Sequence, residues 1–235
     1  MANKKVSVII PASNEEKFIK ETVESFKNQG YFPMEVIVVV NNSHDKTYDI
    51  AKSCADKVLN IENCVTVGEA RNKGAESADG EVFIFSDADT YLTQGGVKKI
   101  AEITDESTIG IPLGKGMDGG KRGKLFFFYK NLGHRLGLYR AAIFGILFCH
   151  RNVFLKTKGF NKEKRIAEFA DFIKRAKKSG AKYKLITDFH AVTSLRRFER
   201  NGYLKEYIFW AKWRMLSFFG RGERLEKKYF NNKNV

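Results

Sequence analysis

The feature that most constrains this chain is a strand-then-helix rhythm in its first half, with a polar cluster where each strong strand ends. Val6 to Ile10 is a β-branched run that stops at Pro11 and a polar turn. Glu15 to Gln29 then spaces Phe18, Ile19, Thr22, Val23 and Phe26 at helical intervals and ends at Gly30. Glu35 to Val40 is nearly continuous apolar sequence, as in a strand buried on both faces. Asn41-Asn42-Ser43 reads as a turn, Asp45 as a cap for a helix beginning near Thr47, and Val58 to Ile61 as a weak strand. Glu69 to Ala78 reads as a helix, Asp79-Gly80 as a turn and Val82 to Phe85 as a buried strand. This order predicts an α/β fold with a mixed, mostly parallel central sheet flanked by helices. Such sheets bind ligands beyond the carboxyl ends of their strands, and Pro11 to Glu15, Asn41 to Asp45 and Ser86 to Asp89 all fall there.

Asp87-Ala88-Asp89, directly after the fourth strand, is the sharpest chemical signal. In an extended chain, side chains two apart point the same way, so the carboxylates repel. A divalent cation relieves that repulsion; oxygen ligands suit Mg²⁺ or Mn²⁺, which can in turn hold a diphosphate. A solvated acidic turn is the plain alternative, and the position after a buried strand favours the metal. In Ala70-Arg71-Asn72-Lys73-Gly74 the charges read as ordinary surface residues, but a helical glycine costs about 1 kcal/mol relative to alanine. Gly74 therefore predicts that something approaches that helix closely. Gly114-Lys-Gly116-Met-Asp-Gly119 matches a dinucleotide fingerprint but comes late, after Pro112, and runs into Gly120 to Gly123 instead of an apolar helix. It is rejected, and Gly114 to Gly123 is expected to be a mobile loop.

Charge divides the chain. Residues 1–114 carry 12 Lys/Arg and 18 Asp/Glu, a net −6, whereas residues 115–235 carry 30 and 9, a net +21. Two halves facing different partners are implied. Three cysteines without C-x-x-C spacing exclude a disulfide scaffold or zinc ribbon and fit a reducing, cytoplasmic setting. The longest apolar run, Ala141 to Cys149, is far short of the roughly 20 residues of a membrane span. Lys124 to Cys149 is basic and aromatic, including Tyr139. Arg165 to Ser179 reads as an amphipathic helix on which Glu168 and Asp171, three apart, share a face; balancing Lys174 and Arg175 is the plain reading of that pair. Arg196-Arg197-Phe198-Glu199-Arg200 offers guanidinium groups that clamp phosphates, or a basic surface patch. Tyr203 to Phe219 mixes Tyr207, Phe209, Trp210, Trp213, Phe218 and Phe219 with Lys205, Lys212 and Arg214, as do helices at a membrane interface. A core helix or dimer interface accounts for the tail equally well, but the Leu125 to Leu147 stretch makes a second such surface. Peripheral attachment to the inner face of a membrane is the expectation.

In order and spacing these motifs resemble the family-2 glycosyltransferases, nucleotide-diphospho-sugar enzymes of the Rossmann-like GT-A fold, from Val6 to about Arg200. The resemblance implies one catalytic domain over 1–200, with a nucleotide-sugar half at 1–114, an acceptor half at 115–200, and an amphipathic helix and tail at 201–235. It implies that Pro11, Ala12 and Glu15 border the nucleoside, that Asn41 meets the base, and that Arg71 serves the nucleotide. Asp87 would lie near ribose and metal, Asp89 would be the principal ligand of Mg²⁺ or Mn²⁺, and Arg196 and Arg197 would help to hold the diphosphate. Two positions depart from the family pattern. Val40-Asn41 stands where relatives often carry an aspartate pair, and Phe169 stands where the general base is usual in the acceptor helix. Either Glu168 or Asp171 has taken over that role, or the acceptor needs no base. An acceptor phosphate is already ionised at neutral pH, so a polyprenyl phosphate satisfies the last case.

The expected activity is inverting, metal-dependent transfer from a UDP- or GDP-sugar to a lipid-linked, lipid-phosphate or glycan acceptor at a membrane surface. A sugar-nucleotide pyrophosphorylase would need a Gly-rich, Arg-containing loop after the first strand, which Pro11 to Glu15 is not. A non-catalytic basic protein binding anionic membrane or nucleic acid would explain +21 but not the acidic cluster, and no nucleic-acid partner is expected.

Overall fold

The computed structural model describes residues 3–62, 64, 66–117, 120–137 and 144–218. Tyr139 and residues 219–235 of the expected tail lie outside them, as do the side chains of Tyr207, Arg214 and Phe218. The chain divides into two compact units at Thr193/Ser194.

The first unit alternates as the apolar runs predict: β1 (Val6–Ala12), α1 (Ile19–Lys27), β2 (Met34–Asn41), α2 (Thr47–Cys54), β3 (Lys57–Ile61), α3 (Val67–Glu76) and β4 (Val82–Ser86). There follow β5 (Thr90–Leu92), α4 (Gly96–Ile103), β6 (Thr108–Gly116), α5 (Gly120–Arg135), β7 (Ile146–His150), α6 (Arg151–Lys156), α7 (Glu168–Lys178) and β8 (Lys182–Thr193). One eight-stranded mixed sheet has the order β3-β2-β1-β4-β7-β6-β8-β5. β1 to β4 run parallel, so their carboxyl ends share one edge, while β7 lies antiparallel between β4 and β6. The three polar clusters therefore meet at one edge. The second unit holds α8 (Arg196–Asn201) and α9 (Tyr203–Phe218).

Val8, Ile9, Val38, Val39, Ile84 and Phe85 are completely buried, as continuous apolar strands in a covered sheet require. Against one face pack Phe154, Phe160 and Phe172; Phe160 stands 4.9 Å edge-on from Phe85 and 4.6 Å from Phe172. Fully burying such a ring stabilises by about 1.5–3 kcal/mol. Gly74 brings α3 onto this sheet: a Cβ there would come within 2.5 Å of Ile9 Cγ2 and 3.0 Å of Val39 Cγ2. Gly74→Ala is accordingly expected to destabilise by about 1–3 kcal/mol through overpacking, outweighing alanine's better helix propensity of about 1 kcal/mol. A chemical melt showing Gly74→Ala at or above wild-type stability would contradict that packing.

The expected loop at Gly114 to Gly123 is corrected. β6 continues to Gly116 and α5 starts at Gly120. The glycine at 114 makes room for the Phe144 ring, which a Cβ there would overlap, so that glycine serves packing; Gly119 of the rejected fingerprint lies outside the described residues. Two helices start later than the sequence suggested, α1 at Ile19, after turns, and α7 at Glu168, after Ala167 takes a left-handed φ of +56°, whereas α3 starts earlier, at Val67.

Candidate active site

The loops after β1 and β2 are laced together by side chains. Asn14 N–H donates to Ser43 Oγ at 3.0 Å, Glu15 N–H to Thr47 Oγ1 at 2.8 Å and Glu16 N–H to Asp45 Oδ2 at 3.1 Å. Asp45 also accepts from Thr47 N–H at 3.0 Å, but the N-cap of α2 is Lys46, so the expected cap is instead an Asx turn one residue before it. Pro11 and Ala12 are the buried last residues of β1, and Asn41 is the last of β2. The Asn41 amide donates to Cys64 O at 3.3 Å, while its buried Oδ1 finds no hydrogen-bond partner among the described residues. A buried amide oxygen in that condition is an acceptor awaiting a donor.

The centre of the site is Arg71, only 1% exposed. Each residue of Arg71 to Gly74 has its own task. Arg71 points to the sheet edge, and Asn72 clamps the chain before α7 by donating to Phe160 O at 2.9 Å and accepting from Phe160 N–H at 2.8 Å. Lys73 pairs with Glu76 at the surface, as the plain reading held, and Gly74 seats the helix. Arg71 itself departs from that reading: Nη2 bonds Asp87 Oδ1 at 2.5 Å and Nη1 bonds Glu168 Oε1 at 2.7 Å. Its guanidinium carbon lies 4.0 Å from the centroid of Phe169 and 5.6 Å from that of Phe160. A buried guanidinium is thus met by two carboxylates in its plane and aromatic rings over its faces.

Asp87 and Asp89 do not stand on an extended chain. They lie in a turn between β4 and β5, closed by Thr90 N–H to Asp87 O at 3.2 Å and braced by Ser86 Oγ–H to Thr90 O at 2.7 Å. The turn still places Asp89 near enough to push the Asp87 carboxyl up. Burial at the strand end is the largest cause of a rise to about 6, Asp89 and Glu168 add to it, and Arg71 opposes it. The Asp87 side chain keeps 42% of its surface open, so water tempers the part of the rise that burial causes, while Asp89 and Glu168 act upward against Arg71. Gly145 forms the neighbouring wall. Its carbonyl accepts from Asp87 N–H at 2.8 Å, and at φ +77° a Cβ would come within 2.5 Å of Thr90 Oγ1 and 3.1 Å of Asp87 Oδ2. Sequence reasoning passed over Gly145; its signal was a glycine interrupting the apolar run Ala141 to Cys149.

The structure separates the two acids of α7. Glu168, the first residue of the helix, joins Arg71 at the site. Asp171 instead pairs one turn on with Arg175 Nε at 2.7 Å, and Arg175 Nη1 bonds Thr157 O at 2.7 Å. Phe169 is buried over Arg71, a role that sequence reasoning did not give it. Arg196 and Arg197 belong to the second unit. There the Arg197 guanidinium lies 3.5 Å from Glu206 Oε2 and 5.5 Å from the Trp210 ring, while buried Glu206 also accepts from Asn201 Nδ2 and Trp210 Nε1.

No group of three or more His, Cys, Asp or Glu side chains that could hold a metal by itself occurs among the described residues. Two carboxylates in one turn, one with its proton affinity raised chiefly by burial and further by its neighbour, fit a hard cation that completes its shell with phosphate oxygens.

Comparison with known proteins places this geometry. The poly(ribitol-phosphate) β-N-acetylglucosaminyltransferase TarS of Staphylococcus aureus is 36% identical over 111 residues, covering 43% of this chain and 19% of TarS. A Methanococcus voltae dolichyl N-acetyl-α-D-glucosaminyl phosphate 3-β-D-2,3-diacetamido-2,3-dideoxy-β-D-glucuronosyltransferase is 35% identical over 106 residues, 41% of this chain and 33% of that protein. The matches thus span a third or less of these relatives' length. Among solved structures, S. aureus TarS 1–349 in complex with UDP-GlcNAc aligns with a TM-score of 0.64 at 22% identity, over 81% of this chain and 58% of that one. The mannosyltransferase PcManGT of Pyrobaculum calidifontis, in complex with GDP-Man and Mn²⁺, aligns at 0.65 and 20% identity, over 82% and 57%. These likenesses establish the GT-A fold. Glycosyl transferase family 2 matches residues 7–199, nearly the whole of the first unit, and the chain belongs to that family.

Proposed function

We propose that this protein transfers a sugar from a nucleoside-diphosphate sugar to a lipid-borne acceptor, by one displacement that inverts the anomeric carbon. The observation that carries the reading is Arg71, which ties Asp87 on the donor side to Glu168 on the acceptor side at the carboxyl edge of the sheet. A merely basic binding protein has no use for a buried guanidinium held between two acids.

In this reading Pro11, Ala12 and Glu15 border the nucleoside. Asn41 offers its Oδ1 to a ring N–H, a feature that uracil and guanine both present. A Mg²⁺ or Mn²⁺ would be held by Asp89 and Asp87 and would neutralise charge on the departing diphosphate. Manganese in the PcManGT complex supports that choice. As the acceptor oxygen bonds to the anomeric carbon, the bond to the diphosphate oxygen breaks and its electron pair leaves with the nucleotide. Arg71 keeps Glu168 in place to take the proton from a hydroxyl acceptor; a phosphate acceptor has none to give. Phe169 at the family's usual base position favours the phosphate, and the dolichyl-phosphate relative agrees with a lipid carrier. Contact with the inner face of a membrane follows from such an acceptor.

Nucleoside diphosphate release from a panel of UDP- and GDP-sugars, with polyprenyl phosphate, lipid-linked sugars or free sugars and with or without EDTA, tests the proposal. Turnover that EDTA abolishes is expected with one donor and a lipid acceptor. Release with no donor, or only with soluble sugars, would contradict it. Glu168→Gln reports the acceptor class, because losing a general base costs about 10²–10⁴-fold with a hydroxyl and far less with a phosphate. Asp171→Asn is expected to change stability by no more than about 1 kcal/mol and to leave turnover near wild type.

A further inference from the structure

α5 is held to the sheet by one side and left open on the other. Phe126 and Phe127 are buried, Phe127 packs 5.5 Å from Phe144, and Asn131 bonds both the N–H and the C=O of Gly114 at 3.0 and 2.8 Å. On the outer side Leu125, Phe128, Tyr129, Leu132 and Leu136 are 56%, 61%, 58%, 40% and 64% exposed. Leu136 continues the last turn through its N–H to Leu132 O at 2.9 Å. At helical spacing these five side chains fall within roughly 100° of the helix circumference, one continuous stripe. Large apolar residues gathered on one exposed face mark a contact surface, unlike scattered single ones.

Charge identifies what covers the stripe. Between Asp118 and Glu163 the sequence has no acidic residue, while Lys121, Arg122, Lys124 and Arg135 lie on α5 itself; Lys130 turns to the sheet side, over Phe126 and Phe144. A protein partner generally meets cations with local acids; a face that offers only cations around leucines and aromatics suits an anionic lipid surface. Its apolar side chains would reach the acyl boundary while its long basic side chains reach the headgroups. No helix among the described residues is long and apolar enough to cross a membrane, so α5 would lie flat. Its position gives docking a purpose. Phe144 packs against α5 on one side, and the next residue, Gly145, touches Asp87 on the other.

We propose that α5 is the membrane-docking helix of this protein, laying Leu125, Phe128, Tyr129, Leu132 and Leu136 on an anionic bilayer beside the donor site. The assignment deepens the reading of a lipid-borne acceptor and rests on it only for its purpose, since docking is measured apart from transfer. The full chain is sedimented with phosphatidylcholine vesicles with and without phosphatidylglycerol. Wild type is expected to bind the anionic vesicles and to release them as salt rises. Leu125→Ser/Phe128→Ser/Leu136→Ser removes only exposed groups and should melt as wild type does, with vesicle affinity down about tenfold or more. The matching triple on α9, Leu204→Ser/Ile208→Ser/Met215→Ser, should bind nearly as wild type. Unchanged binding by the α5 triple, binding lost only through α9, no wild-type binding to either vesicle, or an α5 triple that changes oligomeric mass without changing vesicle binding would each overturn the assignment. Vesicle binding through α5 in a protein that releases no nucleotide would support it while removing the transferase reading.

Discussion

Arg71→Ala is expected to abolish transfer and to lower stability by about 3 kcal/mol. Removing one member of a buried ion pair strands the others, at a cost of about 3–5 kcal/mol when all are buried. Here Glu168 is 14% exposed but Asp87 is 42% exposed, so water relieves one of the two orphaned carboxylates and the lower end applies. The functional loss is separate and larger. Without the guanidinium, Asp87 and Glu168 repel across the vacated space, and both the donor-side turn and the start of α7 lose their anchor. Loss of such preorganised charge costs about 10²–10³-fold or more in turnover. Arg71→Lys distinguishes the two effects. It restores a positive charge but not the planar fork that spans two acids and stacks on Phe169 at 4.0 Å. We expect it to recover most of the stability and little of the activity, as read by thermal melts and kcat/KM on the same preparations. Wild-type kcat/KM in folded Arg71→Ala would remove the organising role assigned here.

Asp89→Ala should remove metal-dependent turnover while leaving the fold. Asp89 sits at the rim of the β4–β5 turn, where its Oδ1 accepts from Thr90 Oγ1 at 3.3 Å; the turn is closed by backbone and Ser86, not by this carboxylate. A stability change within about 1 kcal/mol follows. Turnover is expected to fall about 10³-fold, with no recovery as Mn²⁺ or Mg²⁺ is raised. Asp87→Ala should differ, because it also leaves Arg71 short of a partner and so destabilises as well as inactivates. Equal metal response in wild type and Asp89→Ala would refute the carboxylate site.

The contrast between these variants shows where sequence alone sufficed. Apolar runs located β1, β2 and β4 because a two-sided sheet demands continuous burial, and parallel strands then oblige their polar ends to share an edge. The aspartates were visible for the same reason, though a turn joins them rather than an extended strand. What the sequence could not reveal was partnership across long separations. Arg71 looked like a surface charge because nothing local distinguishes it from Lys73; its burial depends on Glu168, 97 residues away. The same holds for Glu168 and Asp171, equivalent on a helical face until Ala167 delays the start of α7 and Arg175 takes the second acid. The stretch after Gly114 read as loop because glycine content was taken for mobility, when Gly114 instead admits the Phe144 ring.

The most direct test of the account is a crystal structure with Mn²⁺ and UDP or GDP, read from the manganese anomalous signal. We expect one peak coordinated by Asp89, in reach of Asp87 and the diphosphate oxygens, with the base against Asn41. A nucleotide bound with no manganese at that turn, or manganese bound elsewhere in the chain, would contradict it.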